Sequence, residues 1–387
     1  MKFFFYILWI ALFILLSSLS SHYDTQELKI NQIQIIGSHN SYRLKSYAPL
    51  FKYWSSFKHP ILKIAMAKSL DYSNDESFAE QFSEYGIRQL EIDIYHDPQG
   101  GLFYNRKGNK LINEPVASGI EALKKPGLKV MHVPDFDYMT QHFTFIDALT
   151  AVKIWSDTHP NHLPIYIMID AKESNKIKLV KKKYCTPVLK FTKNAVDSID
   201  LEIESVFGKN SKQLITPDKI RGDYKTLNEA VLKNAWPALS EARGKICFVL
   251  LASSQAKAAY LDEHPSLQNR LMFMYSSPGK AEAAFLNMDD PEKNFKLIQD
   301  LVKQGYMIRT RSDAQTNEAR SADYSRFNKA QESGAQLIST DYYKADERYL
   351  TSKKWTNFQI QFPDKKVARV NHVNTAASSE KVSYLVN

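Results

Sequence analysis

The segment "IRQLEIDIY", Ile87 to Tyr95, is an apolar run that carries two acidic residues two positions apart. Successive side chains of a β-strand point to opposite faces, so Glu91 and Asp93 share one face and the apolar residues around them occupy the other. Ionised carboxylates held this close repel each other unless positive charge lies nearby. The segment therefore predicts a buried strand with an acidic site on one face.

Seven further runs show the same strand pattern, a short apolar and β-branched stretch flanked by turn residues and followed by a helical stretch. The eight runs are "IQIIGS" (from Ile33), "IRQLEIDIY" (Ile87), "LKVMHV" (Leu128), "LPIYIMID" (Leu163), "KICFVLLA" (Lys245), "LMFMYS" (Leu271), "YMIRTR" (Tyr306) and "AQLIST" (Ala335). Strands that alternate with helices indicate a parallel sheet, and eight such units predict a closed (β/α)8 TIM barrel. A doubly wound open sheet is the alternative, but the first strand is not followed by a Gly-rich phosphate turn.

The two ends of the chain are predicted to lie outside the barrel. Residues 1–21 have the layout of a secretory signal peptide, with Lys2, an apolar stretch and small polar residues, which predicts a secreted or periplasmic protein. An uncleaved anchor is the alternative, although the apolar stretch is short for a bilayer span. Residues 22–350 form the predicted catalytic domain. Residues 351–387 form a predicted extension whose segments "FQIQF" and "VARVNHV" pack on the barrel, with a loose end.

Charge and cysteine content limit the classes of partner and of metal site. The formal net charge of +9 favours anionic partners such as phospholipid headgroups or nucleic acid, or simply keeps the protein soluble. No nucleic-acid reader motif appears, so we expect no nucleic-acid partner. Cys185 and Cys247 allow at most one internal disulfide, which the sequence does not establish, and neither belongs to a zinc-type cluster.

Polar residues at the carboxyl ends of the predicted strands should meet on one face of a barrel, where active sites lie. Asn40, Glu91, Asp93 and Asp170 would supply hard oxygen ligands, which suit Ca²⁺ or Mg²⁺ better than zinc. The alternative for the acidic pair is an ion pair with Arg88 or another surface cation. We adopt the metal site, because matching groups follow three other strands.

Basic and imidazole side chains complete the predicted site. His39 and His132 follow the first and third predicted strands, where one would donate a proton and the other would stabilise charge. Taken singly, each is more simply an ordinary half-buried histidine. Lys172, Arg309 and Arg311 are the predicted substrate-binding cations, because guanidinium groups bind phosphate oxygens in a fork. The alternative for the arginines is a salt bridge to Asp313 or Asp341.

At this point the chain resembles a known family. The matching segments, spread from about Ile30 to His372, are "GSHNSY", "LEIDIYHDPQGG", "KVMHVPDFDY", "WSDTHPNHLPIYIMIDAK", "IRTRSDA" and "SGAQLISTDYY". They are similar to the calcium-dependent bacterial and fungal branch of the phosphatidylinositol-specific phospholipase C superfamily. The resemblance implies a barrel of the PLC-like phosphodiesterase type that cleaves phosphatidylinositol to diacylglycerol and inositol (cyclic) phosphate with Ca²⁺.

The resemblance also implies roles for individual residues. Asn40, Glu91, Asp93 and Asp170 match metal-binding positions, whereas His39 and His132 match the catalytic histidines. We assign Glu91 a second role as the base that activates the inositol hydroxyl. Asp170 departs from the family, in which better-known relatives carry Glu, so Glu173 is an alternative ligand.

A lipid substrate predicts peripheral contact of a monomer with a membrane. The insertion "YAPLFKYWSSFKHPILKIAMAKSL", residues 47–70, mixes aromatic residues with lysines, as interfacial segments do. The alternative is a cap packed on the barrel. Other activities that the sequence leaves open are glycerophosphodiester or sphingomyelin cleavage on a related barrel and a non-catalytic lipid- or sugar-binding module.

Overall fold

The computed structural model describes residues 28–56, 70–175, 180–375 and 384–385. The predicted signal peptide, residues 1–21, and most of the predicted membrane insertion lie outside these residues. Among the helices that are described, none has both the length and the apolar character that a bilayer crossing requires.

The described residues contain one sheet of twelve strands, most of which are apolar and buried on both faces, as parallel strands covered by helices are. The strands are β1 Ile33–Ser38, β2 Gln89–Tyr95, β3 Lys129–Val130, β4 Ile165–Ala171, β5 Leu214–Ile215, β6 Ile246–Leu251, β7 Phe273–Met274, β8 Phe285–Asn287, β9 Met307–Arg311, β10 Leu337–Thr340, β11 Ala368–Val370 and β12 Tyr384–Leu385.

Eight parallel strands follow one another around a barrel in the order β1, β2, β4, β6, β7, β8, β9 and β10. A parallel bridge between Tyr275 and Phe285 links the end of β7 to β8. The ring continues from β10 back to β1, where Ser38 pairs with Thr340. The predicted (β/α)8 barrel is therefore confirmed.

One of the eight predicted barrel strands was wrong. The run from Leu128 forms only the two-residue strand β3, which pairs antiparallel with the end of β2, as Ile94 faces Val130. The eighth parallel strand is β8, which is three residues long and contains no β-branched residue. A segment so short, without a β-branched residue, does not stand out in the sequence.

Eleven α-helices occur in the described part of the chain, and they connect the strands of the barrel. They are α1 Ala48–Ser55, α2 Phe78–Ser83, α3 Phe145–Thr158, α4 Lys193–Phe207, α5 Pro217–Arg221, α6 Leu227–Leu232, α7 Leu239–Ala242, α8 Ser254–Leu261, α9 Phe295–Lys303, α10 Asn317–Ser321 and α11 Ser325–Ser333. Side-chain caps define several starts: Ser77 accepts a hydrogen bond from the Glu80 N–H, and Thr144 accepts one from the Asp147 N–H. Gly334, with φ of 79°, ends α11 just before β10.

A glycine brings β1 and β2 unusually close together. Gly37 pairs with Gln89, and a Cβ atom at Gly37 would lie 2.7 Å from the Gln89 Cβ. No larger residue fits there without moving a strand. This contact places the residues that follow β1, including His39 and Asn40, beside the acidic face of β2.

The carboxyl-terminal residues add strands to the amino-terminal part of β1. β11 pairs antiparallel with β1, where Ala368 faces Ile35, and β12 in turn pairs with β11. The segment "FQIQF" forms no strand, but Phe358, Ile360 and Phe362 are buried in the main core. Cys185 and Cys247 are both free thiols, and Cys247 is buried in β6.

Candidate active site

The acidic side chains of β2 and β4 meet because of the register of the two strands. Asp93 lies directly opposite Asp170 in the parallel pair. Carboxylate oxygens of Glu91, Asp93 and Asp170 all lie within 4.8 Å of one another. Glu91 and Asp93 are buried, whereas the Asp170 side chain is 16% exposed. The three carboxylates thus form an acidic cluster with one side open to solvent.

The chemistry of this cluster fits a hard divalent cation. Asp93 Oδ1 and Asn40 Oδ1 are buried and have no hydrogen-bond partner among the described residues. An orphaned buried oxygen is costly unless a donor or a cation satisfies it. Asn40 lies next to the cluster, because the N–H of the following residue, Ser41, donates to the Glu91 carbonyl oxygen at 3.0 Å. These four side chains together offer the oxygen set that Ca²⁺ prefers.

The conformation of Asn40 is fixed by its neighbours. Its φ of 47° lies in the left-handed region, which asparagine adopts more easily than most residues. Asn74 Nδ2 donates to the carbonyl oxygens of His39 and Asn40, at 2.8 and 2.9 Å. Asn40 Nδ2 donates to the Tyr72 hydroxyl at 2.6 Å. The amide oxygen of Asn40 therefore keeps its acceptor capacity for another group.

Lys172 supplies positive charge to the same carboxylates. Its Nζ lies 3.1 Å from Asp93 Oδ2 and also donates to Asp170 Oδ2. Burial raises the pKa of Asp93 well above its usual value, because Lys172 offsets only part of the cost of burying that charge. Burial alone would lower the pKa of Lys172, but Asp93 and Asp170 raise it well above normal.

His39 is held by a carboxylate and an arginine. Its Nδ1 lies 2.7 Å from Asp341 Oδ1, and Arg311 donates to Asp341 Oδ2 at 2.6 Å. Burial lowers the pKa of His39 well below its usual value, and Arg311 acts in the same direction. The other ring nitrogen, Nε2, lies 3.5 Å from Glu91 Oε1. His39 is thus oriented with its unbonded nitrogen towards the acidic cluster.

His132 is held in a similar way by a second carboxylate. Its Nδ1 lies 2.6 Å from Asp137 Oδ2, and Arg43 Nε donates to the same oxygen at 2.6 Å. Burial alone would raise the pKa of Asp137, but Arg43 and His132 hold it well below its usual value. Burial lowers the pKa of His132, and Asp137 opposes this. About a fifth of the His132 side chain remains exposed.

The two predicted phosphate-binding arginines are already engaged with carboxylates. Arg309 donates to Glu91 Oε2 at 2.9 Å and also contacts Asp289. Arg311 pairs with Asp341 and Asp313, as the salt-bridge alternative predicts. The Nε atoms of both arginines are buried and have no hydrogen-bond partner among the described residues. Each guanidinium therefore retains a donor that no described group satisfies.

The structure places the predicted site residues at the carboxyl end of the barrel. His132 reaches this site although β3 is not a barrel strand, because β3 pairs with the end of β2. Glu173, the alternative metal ligand, is occupied elsewhere, since its Oε1 accepts the Phe191 N–H at 2.8 Å. The cup, as we call this site, contains His39, Asn40, Glu91, Asp93, His132, Asp170, Lys172, Arg309, Arg311 and Asp341.

Sequence reasoning missed the partners that loops supply. Asp137 and Tyr72 contact the cup residues His132 and Asn40, and Arg43 contacts Asp137, but none of the three follows a regular strand pattern. The ring of Tyr72 stacks on His39, with centroids 6.1 Å apart. Tyr72 also lines a neighbouring cavity of about 690 Å³, in which Asp341 is the one cup residue among the described lining residues. The cavity therefore adjoins the cup at Asp341, which contacts His39.

Comparison with known families identifies the chain. Residues 28–372 match the sequence model of the family described as phosphoinositide phospholipase C, Ca²⁺-dependent. The chain belongs to this family. Members of this family depend on Ca²⁺. The carboxylate cluster of the cup offers the oxygen ligands that suit this cation. No curated protein matches the chain closely enough to count as a relative.

Solved structures with the same fold include two bacterial calcium-dependent phospholipases C. The phosphoinositol-specific phospholipase C of a Pseudomonas species is 16% identical, with a TM-score of 0.54, over 90% of this chain and 96% of that one. The phosphatidylinositol-specific enzyme of Streptomyces antibioticus is 15% identical, with a TM-score of 0.51, over 81% and 95%. At these identities the likeness concerns the fold, and it agrees with the phospholipase C family.

Proposed function

We propose that the enzyme cleaves phosphatidylinositol in a membrane surface, releasing diacylglycerol and a cyclic inositol phosphate. The observation that carries this proposal is the position of His39 and His132, each bound to a buried carboxylate, in one cup with three carboxylates. A phosphodiester cleavage needs a base for the attacking hydroxyl and an acid for the leaving oxygen. The cup offers both kinds of group within one open site.

The cup would act on the 2-hydroxyl of inositol. Its oxygen attacks the neighbouring phosphorus while its proton passes to Glu91, the base predicted from the sequence. His39 Nε2, 3.5 Å from Glu91 Oε1, lies close enough to stabilise charge on the phosphoryl oxygens or to share that proton. Asp341 fixes the ring so that Nδ1 keeps its hydrogen bond and Nε2 faces the site.

His132 would complete the reaction at the leaving group. The bond between phosphorus and the glycerol oxygen breaks as His132 donates a proton to that oxygen, which yields diacylglycerol and a cyclic 1,2-phosphate. Asp137 favours the protonated ring that this step requires, and the phosphodiester anion of the substrate acts in the same direction. In a second step, water would attack the phosphorus of the cyclic ester and open the ring to give inositol phosphate.

Asn40, Glu91, Asp93 and Asp170 would hold the cation. Bound there, Ca²⁺ would supply positive charge beside the reacting hydroxyl and the phosphate. Lys172, Arg309 and Arg311 would contribute further positive charge to substrate binding, and the unsatisfied Nε donors of the two arginines support this role.

The cellular setting is part of the proposal. We infer that the protein is exported and is either secreted or periplasmic, since residues 1–21 have the composition of a signal peptide. We also infer that it acts as a monomer that binds the membrane peripherally. The packing of Leu50 and Trp54 of α1 against Phe136 and Tyr138 supports a cap role for the described start of the insertion.

The test is release of inositol phosphate from phosphatidylinositol vesicles, followed by phosphorus NMR with Ca²⁺ and with a chelator. We expect a cyclic product with Ca²⁺ and none with the chelator. His39→Ala and His132→Ala should each lower turnover by about 10²–10⁴-fold while leaving the protein folded. Near-normal turnover in both variants, or a different water-soluble product, would refute the proposal.

A further inference from the structure

Five exposed lysines lie on the same end of the barrel as the cup. Lys52 belongs to α1, which follows β1, and Lys110 belongs to the short helix Lys107–Ile112, which follows β2. Lys181, Lys182 and Lys183 belong to the segment that follows β4. Because these segments leave the carboxyl ends of parallel strands, they lie at the same end of the barrel as the cup. We call the five residues the lysine patch.

A small apolar core holds the three segments together. Leu50 and Trp54 of α1 pack with Phe136 and Tyr138, and Tyr184 lies against this cluster. α1 contacts the short helix Lys107–Ile112, which in turn contacts the turn Lys182–Tyr184. The five lysines therefore belong to neighbouring elements that share a core.

The charge of the patch is not neutralised within the described parts of the chain. None of its five Nζ atoms forms an ion pair or a hydrogen bond with a described residue, and Lys183 only lies over the ring of Tyr184, 4.9 Å from its centroid. Some other surface lysines are paired: Lys153 lies 2.6 Å from Asp157, and Lys344 lies 2.7 Å from Glu76.

Three acidic residues on or beside these segments are engaged with other groups. Glu114 accepts the Tyr47 hydroxyl at 2.8 Å, and Glu173 accepts the Phe191 N–H. Asp135 is buried and accepts the N–H groups of Lys107 and Thr186. None of these three carboxylates is paired with a lysine of the patch.

We propose that the lysine patch is a docking surface for an anionic lipid bilayer, and this inference rests on the proposed action on a membrane lipid. The patch and the cup share one end of the barrel, so attraction of the lysines to lipid headgroups would turn the cup towards its substrate. Charge complementarity decides the occupant, since basic clusters beside a bilayer bind anionic headgroups and lose affinity with added salt. The patch thus sets both the orientation and the salt dependence of binding.

The test compares two triple variants with the same change in net charge. One is Lys181→Gln/Lys182→Gln/Lys183→Gln. The control is Lys209→Gln/Lys212→Gln/Lys233→Gln, which removes exposed lysines that have no ion pair to a described residue and that precede the amino ends of β5 and β6. Sedimentation with vesicles of phosphatidylcholine and phosphatidylserine, at low and high salt, measures partitioning, and pure phosphatidylcholine vesicles give the baseline.

The patch variant should bind the anionic vesicles roughly a hundredfold more weakly than wild type at low salt, and the difference should shrink at high salt. The control variant should bind like wild type. Equal losses in the two variants would overturn the proposal, because net charge alone would then explain binding. Unchanged vesicle binding of the patch variant would also overturn the proposal. If the patch variant binds vesicles like wild type but loses affinity for a duplex oligonucleotide, the patch binds nucleic acid and the proposal is equally overturned.

A second measurement separates this proposal from the proposed function. Turnover of a water-soluble inositol phosphodiester without vesicles should be the same in wild type and the patch variant, since no patch residue lies in the cup. If wild type turns over neither this substrate nor phosphatidylinositol, the proposed function fails, while the vesicle comparison still decides whether the patch binds anionic lipid. If only the patch variant loses soluble turnover, the lysines serve catalysis and the docking role is refuted.

Discussion

Asp93 and Asp170 face each other across β2 and β4, and the ammonium group of Lys172 contacts the carboxylates of both. The same oxygens are the predicted ligands of Ca²⁺. A Ca²⁺ ion held by these oxygens would therefore compete with Lys172 for the two carboxylates. This relationship predicts that Lys172 stabilises the protein most when Ca²⁺ is scarce.

Replacing Lys172 with methionine should separate these two effects. In chelator, Lys172→Met should lower the free energy of unfolding by about 3 kcal/mol, since it leaves close carboxylates without a positive partner. Added Ca²⁺ should stabilise this variant more than it stabilises wild type. Urea unfolding with and without Ca²⁺ measures both effects. Lys172→Arg is the control that keeps the charge. If Ca²⁺ raises the free energy of unfolding equally in wild type and in Lys172→Met, the lysine and the cation do not compete.

The hydrogen bond between Asp341 and His39 predicts a selective loss of turnover. Asp341→Asn keeps the size of the side chain but weakens its hold on the orientation and tautomer of the imidazole. We expect kcat to fall by about 10²–10⁴-fold with little change in KM. Steady-state kinetics on phosphatidylinositol checks this.

Asp346→Asn is the matched control for that variant. Asp346 caps the short helix Glu347–Leu350 and pairs with Arg348, outside the cup, so its loss should leave kcat near the wild-type value. If the two variants behave alike, Asp341 has no special role in positioning His39.

The parts of the site that the sequence predicts are those attached to regular strands. Glu91 and Asp93 are recognisable because strand geometry alone places them on one face, and Asp170 because its strand is a long apolar run. The sequence could not show that Asp170 lies opposite Asp93, since register depends on how two strands pair. It also could not choose between phosphate and carboxylate as the partner of Arg311, because that choice depends on Asp341, thirty positions away.

The errors come from short elements and long-range contacts. β8 is too short to carry a periodic signal, whereas the run from Leu128 carries one but pairs antiparallel outside the barrel. Arg43 and Asp137 lie in loops 94 residues apart, and only the folded chain brings them together. Local pattern thus predicts the barrel and its ligands, but not the second layer of charges that orients the histidines.

The buried pair of Arg43 and Asp137 predicts a specific response to acid. Since the folded-state pKa of Asp137 lies below that of an unfolded aspartate, its contribution to stability is present above about pH 4 and is lost as the pH falls through the lowered value. Asp137→Asn should therefore show a weaker loss of stability with acid than wild type. Urea unfolding at several pH values from neutral to acidic measures the slope.

Asp147 provides the control for this experiment, because its side chain is 60% exposed and, among the described residues, its carboxylate is paired only with His142. Asp147→Asn should leave the slope close to that of wild type. If Asp137→Asn and wild type lose stability in parallel as the pH falls, the pair does not set the acid response. Arg43→Met should be destabilised at neutral pH by about 3–5 kcal/mol, because it leaves a buried carboxylate unpaired.

The close approach of β1 to β2 predicts that Gly37 tolerates no side chain. In Gly37→Ala the new Cβ would lie 2.1 Å from Gln89 Oε1 and 2.7 Å from its Cβ, so the strands must separate. We expect a loss of about 1–3 kcal/mol in the free energy of unfolding, as for other overpacked cores. Turnover should fall as well, because the shift would move His39 and Asn40 away from Glu91. The double variant Gly37→Ala/Gln89→Gly removes the opposing Cβ, so it should recover part of the lost stability and part of the lost turnover. If it recovers neither, the cause of the defect lies outside this contact.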